Sequence, residues 1–407
     1  MGDILTHAPP LPLILDYGVD PGHDITTEVE EGIIRALQHR HRVRSIRLVM
    51  SVQNLQKLFV SMDDEFPMLE TVILESLVHS DPGLTLPNTF RAPQLRHLTL
   101  SGSAFQKGYP LLTSTAGIVV LKLISMFAYF PPNELIQWLS LMPHLEMLAI
   151  AFHTESLDLN PEFEQQPLLN STRTHATLPD LRYFLFKGSS AYLEALLPRM
   201  ATPLLEKFHI EFVNDPPHSV PCLLQFISAR EDARFSRATL SFEDDKVRVV
   251  TKPREASWKR VFSMALFWYD LDWQVSSLAD LLNVLSPVLA AVEHLNLNLE
   301  YQEHETHDEA EHTDWRRLLG LFSNVKNLHV SDGLIRELSR SLRVEDGESP
   351  MELLPELKEL SFPESSNGEE EFTSFIDARR SAGNTVSIVE KNASLDDCCV
   401  DDWVCGE

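Results

Sequence analysis

Cysteine is scarce in this chain of 407 residues. There are four, Cys222, Cys398, Cys399 and Cys405, and three of them crowd the C-terminal end. A disulfide framework cannot hold a core from that position, and a chain of this length buries enough apolar surface to need none. A reducing compartment, cytoplasmic or nuclear, is therefore expected. Positive charge is also short: 34 Lys and Arg stand against 60 Asp and Glu, a formal net charge of −26. That balance argues against nucleic acid and anionic membrane as partners, since both need a basic surface. It favours solubility and a basic protein partner. No apolar run reaches the ~18 residues that span a bilayer, and Leu11 to Leu15 is too short and lacks the basic flank of a signal peptide. Cys405 is third from the end rather than fourth, so the tail is not a prenylation box. The sequence also lacks a Gly-x-Ser-x-Gly elbow and a Gly-rich phosphate loop. No catalytic residue, metal or cofactor is expected, and the chain reads as a non-enzyme.

What is present is a repeat. Hydrophobic residues make up 43% of the chain, ordinary for a globular protein, and many fall in one pattern: apolar, two residues, apolar, one residue, apolar. It runs through Val43-Arg-Ser-Ile46-Arg-Leu48, Leu69 to Leu74, Leu95 to Leu100, Ile118 to Leu123, Leu145 to Ile150, Leu181 to Phe186 and Leu205 to Ile210. A degenerate copy sits at Leu240-Ser-Phe242. Three more follow, at Val292 to Leu297, Val325 to Val330 and Leu357 to Phe362, and Val386 to Val389 closes the series. One interval, between Leu240 and Leu295, is wide enough to hide another copy, and the alternation of Phe262, Met264 and Leu266 places one there.

Between these strands the helical spacing of apolar residues predicts helices over 27–41, 133–142, 191–200, 276–290, 315–322 and 334–342. Pro67, Pro93, Pro143, Pro179, Pro203 and Pro355 stand just before strands, where proline stops a helix and leaves its predecessor extended. Such units cannot bury their apolar faces alone, so stacking is required. The expected fold is an α/β leucine-rich-repeat solenoid of eleven to twelve units, with a curved parallel sheet on the concave side and helices on the convex side. A doubly wound sheet is the alternative, but the strands are too many. Residues 1–24 form an N-terminal arm, 25–390 the solenoid and 391–407 an acidic, disordered tail.

The Leu-x-x-Leu-x-Leu segments resemble the leucine-rich repeat, and their uneven spacing resembles that of F-box/leucine-rich-repeat proteins. Pro-x-Leu-x-x-Leu-x-Leu, at Pro93 to Leu100 and Pro143 to Ile150, and the segment from Phe375 to Gly383 are similar to large fungal F-box-like families. The resemblance implies a protein-binding module, the substrate-recognition part of a ubiquitin ligase subunit. No F-box is recognisable, because Leu11-Pro12-Leu13 is not followed by its helical pattern. A cullin-type ligase adaptor is thus a partner only if an F-box is present. The alternative is an independent scaffold or inhibitor of a basic protein.

Strand side chains alternate, so the residues between the inward apolar positions face outward. In the early and middle repeats these include Arg47, Ile73, Glu75, His97, Thr99, Lys122, Ala149 and Lys187. An apolar patch of Val120, Ile124, Met147, Tyr183 and Leu185 is expected to be the core of a partner interface, with His209, Asn296 and His329 on a polar rim. The bland alternative is that the segment 156–177 folds over it. Three other clusters have bland readings too. His304 and His307, with Glu303, Asp308, Glu311 and His312, have metal-ligand types but read as a solvated acidic loop. Cys398, Cys399 and Cys405 among aspartates read as a tail. Phe267, Trp268, Tyr269 and Trp273 read as core, or else as a binding anchor.

Overall fold

The computed structural model describes residues 11–19, 23, 25–76, 86–102, 110–126, 130–153, 174–213, 219–229, 235–253, 261–268, 270–300, 311–344, 349–363 and 367–390. The chain is an α/β protein with fifteen strands of mostly parallel, mixed sheet. It divides into two compact units, 1–215 and 216–407, and each is described by itself.

In residues 1–215 the strands are β1 (Leu13–Gly18), β2 (Val43–Met50), β3 (Thr71–Ser76), β4 (His97–Ser101), β5 (Val120–Met126), β6 (Met147–Phe152), β7 (Ala176–Thr177), β8 (Tyr183–Gly188), β9 (Met200–Ala201) and β10 (Lys207–Phe212). The main sheet runs β1-β2-β3-β4-β5-β6-β8-β10, in chain order and parallel throughout. β7 and β9 pair separately. Parallel connections between neighbouring strands are right-handed as a rule, so a sheet in chain order carries its connecting segments on one face. Burial agrees. Val72, Leu74, Leu98, Leu100, Leu121, Leu123, Leu148 and Ile150 are fully buried, while the residues between them are mostly half-buried. The repeated apolar triplets thus lie in register, as their spacing predicts.

The prolines act through a turn. Pro67, Pro93, Pro143, Pro179 and Pro203 each take the second position of a four-residue turn. Its closing amide is Leu69, Leu95, Leu145, Leu181 or Leu205, which donates to the carbonyl three residues back at 3.0–3.3 Å. Proline suits that position because its fixed φ matches the turn. The leucine so placed is the first of each triplet. One residue further on, a backbone ladder steps across the sheet. Glu70 donates to Arg44, Arg96 to Glu70, Val119 to Arg96, Glu146 to Val119, Arg182 to Glu146 and Glu206 to Arg182, at 2.8–2.9 Å. Arg44 and Glu70 also pair through their side chains at 2.9 Å, as do Arg182 and Glu206 at 2.7 Å.

The helices Thr27–Gln38, Val52–Phe59, Pro132–Ser140 and Ser190–Leu196 cover the apolar face. Thr26, Ser51 and Ser189 cap three of them, each accepting from the amide three residues on. Aromatics seal the face near β6 and β8. Tyr192 packs on Phe152 and Phe186 with centroids 5.0 and 6.0 Å apart, and its hydroxyl donates to the Phe130 carbonyl at 3.1 Å. The strand β1 lies inside the stretch read from sequence as an arm. Ile14 is 71% exposed on it, but its backbone pairs along β2.

In residues 216–407 the strands are β11 (Phe235–Glu243), β12 (Lys246–Pro253), β13 (Val261–Phe267), β14 (His294–Glu300), β15 (Asn327–Val330), β16 (Glu359–Phe362) and β17 (Ser387–Glu390), in the order β13-β12-β11-β14-β15-β16-β17. From β11 through β14 to β17 the pairing is parallel, and β17 closes the series. The expectation of a wholly parallel sheet fails at β12. This strand runs antiparallel to both β11 and β13, so the three form a meander. Phe262, Met264 and Leu266 do form a strand, as their alternation predicts, and it is the third leg of that meander. Alternation fixes which side chains face inward and says nothing of strand direction. Asp244-Asp245, between β11 and β12, is the two-residue loop that turns the chain back.

The helix Leu271–Val284 is tied to the meander by Gln274, which is fully buried and donates from Nε2 to the carbonyls of Glu243 and Trp268, both at 2.7 Å. The helix Gly368–Ser381 carries Arg379, also fully buried. Its guanidinium donates to the carbonyls of Leu353 and Leu354, both at 2.6 Å, and of Pro355 at 3.4 Å, and lies 5.1 Å from the Phe375 ring centroid. Leu354 sits at φ 50°, a left-handed conformation that a leucine adopts only when its surroundings hold it there.

Candidate partner-binding face

The sheet face opposite the helices in residues 1–215 is built by register. One row across it reads His97, Val120, Met147, Tyr183, Lys207, and the next reads Thr99, Lys122, Ala149, Leu185, His209. Val120, Met147 and Tyr183 are therefore direct neighbours, and Leu185 lies beside His209. All five are half-buried. Ile124 stands apart, one row on and opposite Ser101. The β5–β6 register shifts between Leu123 and Met126, where Ser125 takes φ 49°, and this restores Met126 to the core. Ala149 and Ala151 are small and only 6% exposed, so the taller Met147, Leu185 and Lys122 rise around them.

The end of this face nearest β10 is charged. Glu211 accepts from Lys187 at 3.2 Å and contacts His209 Nε2 at 3.1 Å. Burial alone would raise the Glu211 carboxyl. The hydrogen bond from His209 and the charges of Lys187 and His209 outweigh it and bring the group down to about 2. Lys207 lies 5.5 Å from the centroid of Tyr183, and its ammonium is lowered, by burial first, with Glu206 opposing. Periodicity placed Lys187 and His209 on the outward side, but their meeting with Glu211 depends on β8–β10 register. Lys207 stands one residue before the central apolar residue of its triplet, as Met147 and Tyr183 do, so the same alternation signals its outward side.

Asn296 and His329 lie in the other unit, where they are register neighbours on β14 and β15. His329 Nδ1 is 3.1 Å from the Ser361 hydroxyl, which donates to the Leu328 carbonyl. This face is polar, with Asn298 and Asn327 half-buried alongside. At its meander end Glu243 receives Lys246 at 3.2 Å and Arg248 at 3.3 Å. Burial raises the Glu243 carboxyl, against both cations.

The chain matches no protein-family model and no curated protein.

Of the other clusters, Phe267 and Trp268 are half-buried, while Trp273 is 56% exposed and stacks on Trp268 with centroids 5.9 Å apart. Tyr269 lies outside the described residues, as do His304, His307, Glu303 and Asp308, the three C-terminal cysteines, and 156–173 of the segment weighed as a cover for the patch. Glu311 and His312 begin the helix that carries Trp315. Among the described residues no group of His, Cys, Asp and Glu is placed to hold a metal, and no helix is long and apolar enough to cross a membrane.

Proposed function

We propose that this chain is a non-enzymatic protein-binding module whose binding surface is the outward sheet face of residues 1–215. One observation carries the reading. Val120, Met147, Tyr183 and Leu185 form a contiguous apolar patch on the face opposite the helices, each half-buried. Apolar side chains gathered on such a face are a liability unless something covers them. The recurring turn–strand unit, stacked in register, supports a leucine-rich-repeat solenoid. With the fungal F-box-like resemblance it supports a role as the substrate-recognition part of a ubiquitin ligase subunit, in cytoplasm or nucleus.

A second reading has its own support. Among the described residues of 13–59 stand two strands of the sheet and two helices, not a separate helical module. That favours an independent scaffold or inhibitor, which needs no ligase adaptor.

The test is a paired substitution. Tyr183→Ala with Leu185→Ser removes two outward side chains and leaves the inward Phe184 and Phe186 in place. Capture of partners by the tagged chain, quantified by mass spectrometry, should be lost while the melting temperature stays within a few degrees. Unchanged capture, or collapse of the fold, counts against the face.

A further inference from the structure

Three parts of residues 216–407 meet at one end of the meander. Register sets Glu243 beside Glu300 and Lys246 beside Phe267, so the turn at 244–245 and the ends of β13 and β14 lie together. Gln274 brings in the helix Leu271–Val284, because its Nε2 holds the carbonyls of Glu243 and Trp268 at once. On this platform Trp273, 56% exposed, stacks on Trp268 with 25° between the rings. A single exposed aliphatic side chain needs no explanation. A tryptophan stacked on a residue whose backbone is tied to buried Gln274 is different, since it offers solvent a large π-face already held in place.

The surroundings stay acidic after every cation is counted. Over 243–248, 270–280, Glu300 and 311–317, nine carboxylates stand against four Lys and Arg side chains and one histidine. The sequence 301–310, outside the described residues, contains no Lys or Arg. All four cations are engaged. Lys246 and Arg248 pair with Glu243, and Arg317 pairs with Asp280 and Asp314. Arg316 donates to the carbonyls of Ser341 and Arg343. Asp244, Asp245 and Asp270 are exposed and make no ion pair among the described residues. Burial raises the Glu243 carboxyl and Glu300 raises it further, against Arg248 and Lys246. A helix start carries about half a positive charge, less than Asp270 and Asp272 place there.

We infer that Trp273 anchors a second docking surface, which takes an arginine from a basic segment of a partner protein, its guanidinium flat on the indole and paired with the carboxylates around it. This surface belongs to residues 216–407 and does not depend on the apolar face proposed above. Tryptophan is the best aromatic acceptor of a cation. Arginine suits it because its planar group stacks on a ring while its edge meets carboxylates. The same carboxylates disfavour nucleic acid and anionic membrane. A second copy of this chain would bring its own net charge of −26 and be repelled.

The experiment titrates the full chain into fluorescein-labelled Gly-Arg-Gly-Arg-Gly and follows anisotropy. A control peptide carries citrulline, a neutral analogue of arginine, in place of both arginines. The arginine peptide should bind, more weakly as salt rises, and the citrulline peptide should bind at least roughly tenfold more weakly. Trp273→Ala should weaken arginine-peptide binding at least roughly fivefold, with Trp273→Phe in between. Asp245→Asn with Asp270→Asn should weaken it by a similar factor. Glu369→Gln with Glu370→Gln removes the same charge from another helix and should leave it within about twofold. No binding, or equal binding of the citrulline peptide, overturns the inference. So does an equal loss in the Glu369 and Glu370 variant, which would mean general charge attraction. Loss with Tyr183→Ala and Leu185→Ser but not with Trp273→Ala places the peptide on the other face and overturns this surface alone.

Discussion

Arg379 is a charge placed where water does not reach and, among the described residues, where no carboxylate stands beside it. Its counterweight is three carbonyls from the turn at 353–355, of which that of Leu354 also accepts from the Leu357 amide. Burial lowers its pKa, yet a guanidinium remains charged at any physiological pH. Arg379→Ala should therefore cost roughly 3 kcal/mol in urea unfolding, because it strands buried acceptors. Arg379→Lys should recover only part of that, since an ammonium cannot span carbonyls with a planar fork. Full recovery by Arg379→Lys would show that charge, not geometry, matters at this position. Glu211 gives a second test through pH. Its folded value of about 2 lies below the ordinary 4.5. The ion cluster therefore stabilises the fold above pH 4.5, and that contribution drains away as pH falls toward 2. The difference is worth about 3 kcal/mol at most. Glu211→Gln should lower the melting temperature at pH 7 and narrow the gap to wild type at pH 3; a constant gap would mean that the carboxylate is not held ionised.

At the scale of elements the apolar triplet does most of the specifying. Leu98 is fully buried in β4, between β3 and β5. Leu98→Ala should cost roughly 2–5 kcal/mol, readable by thermal or denaturant unfolding. A loss below 1 kcal/mol would mean that the neighbouring strands close over the gap. Triplets, turns and most helices were legible because each is written in local spacing. Pro93 and Leu95, for instance, mark the turn and Leu98 and Leu100 the strand that follows. The meander was not legible. Lys246 to Pro253 alternates charged and β-branched residues with no leucine triplet to announce it, and strand direction is set by the two-residue loop before it. The helices Val52–Phe59, Pro221–Ser228 and Gly368–Ser381 were not marked by the spacing of apolar residues. On the candidate face, sequence spacing found the apolar members, but the cluster of Lys187, His209 and Glu211 exists only once β8 and β10 are aligned.

For the molecule as a whole, the first prediction concerns the ligase reading. If this chain lacks an F-box in fact as well as in pattern, purified protein should not pull down a cullin-ligase adaptor; stoichiometric capture would place an F-box in the chain and favour the ligase subunit over the scaffold. A second consequence comes from the ladder at the strand starts, where the side chains run Arg44, Glu70, Arg96, Val119, Glu146, Arg182, Glu206. Signs alternate except at one neutral rung. A chain built of stacked units can lengthen or shorten by whole units, and this alternation decides which losses are tolerated. Dropping the unit of Glu70 would set Arg44 against Arg96, and dropping that of Arg182 would set Glu146 against Glu206. Excising the Val119 unit instead brings Arg96 beside Glu146, a matched pair. The neutral rung is thus a splice point: the place where such a protein can change length, and with it the breadth of its binding face, while every charge along the seam still meets its opposite.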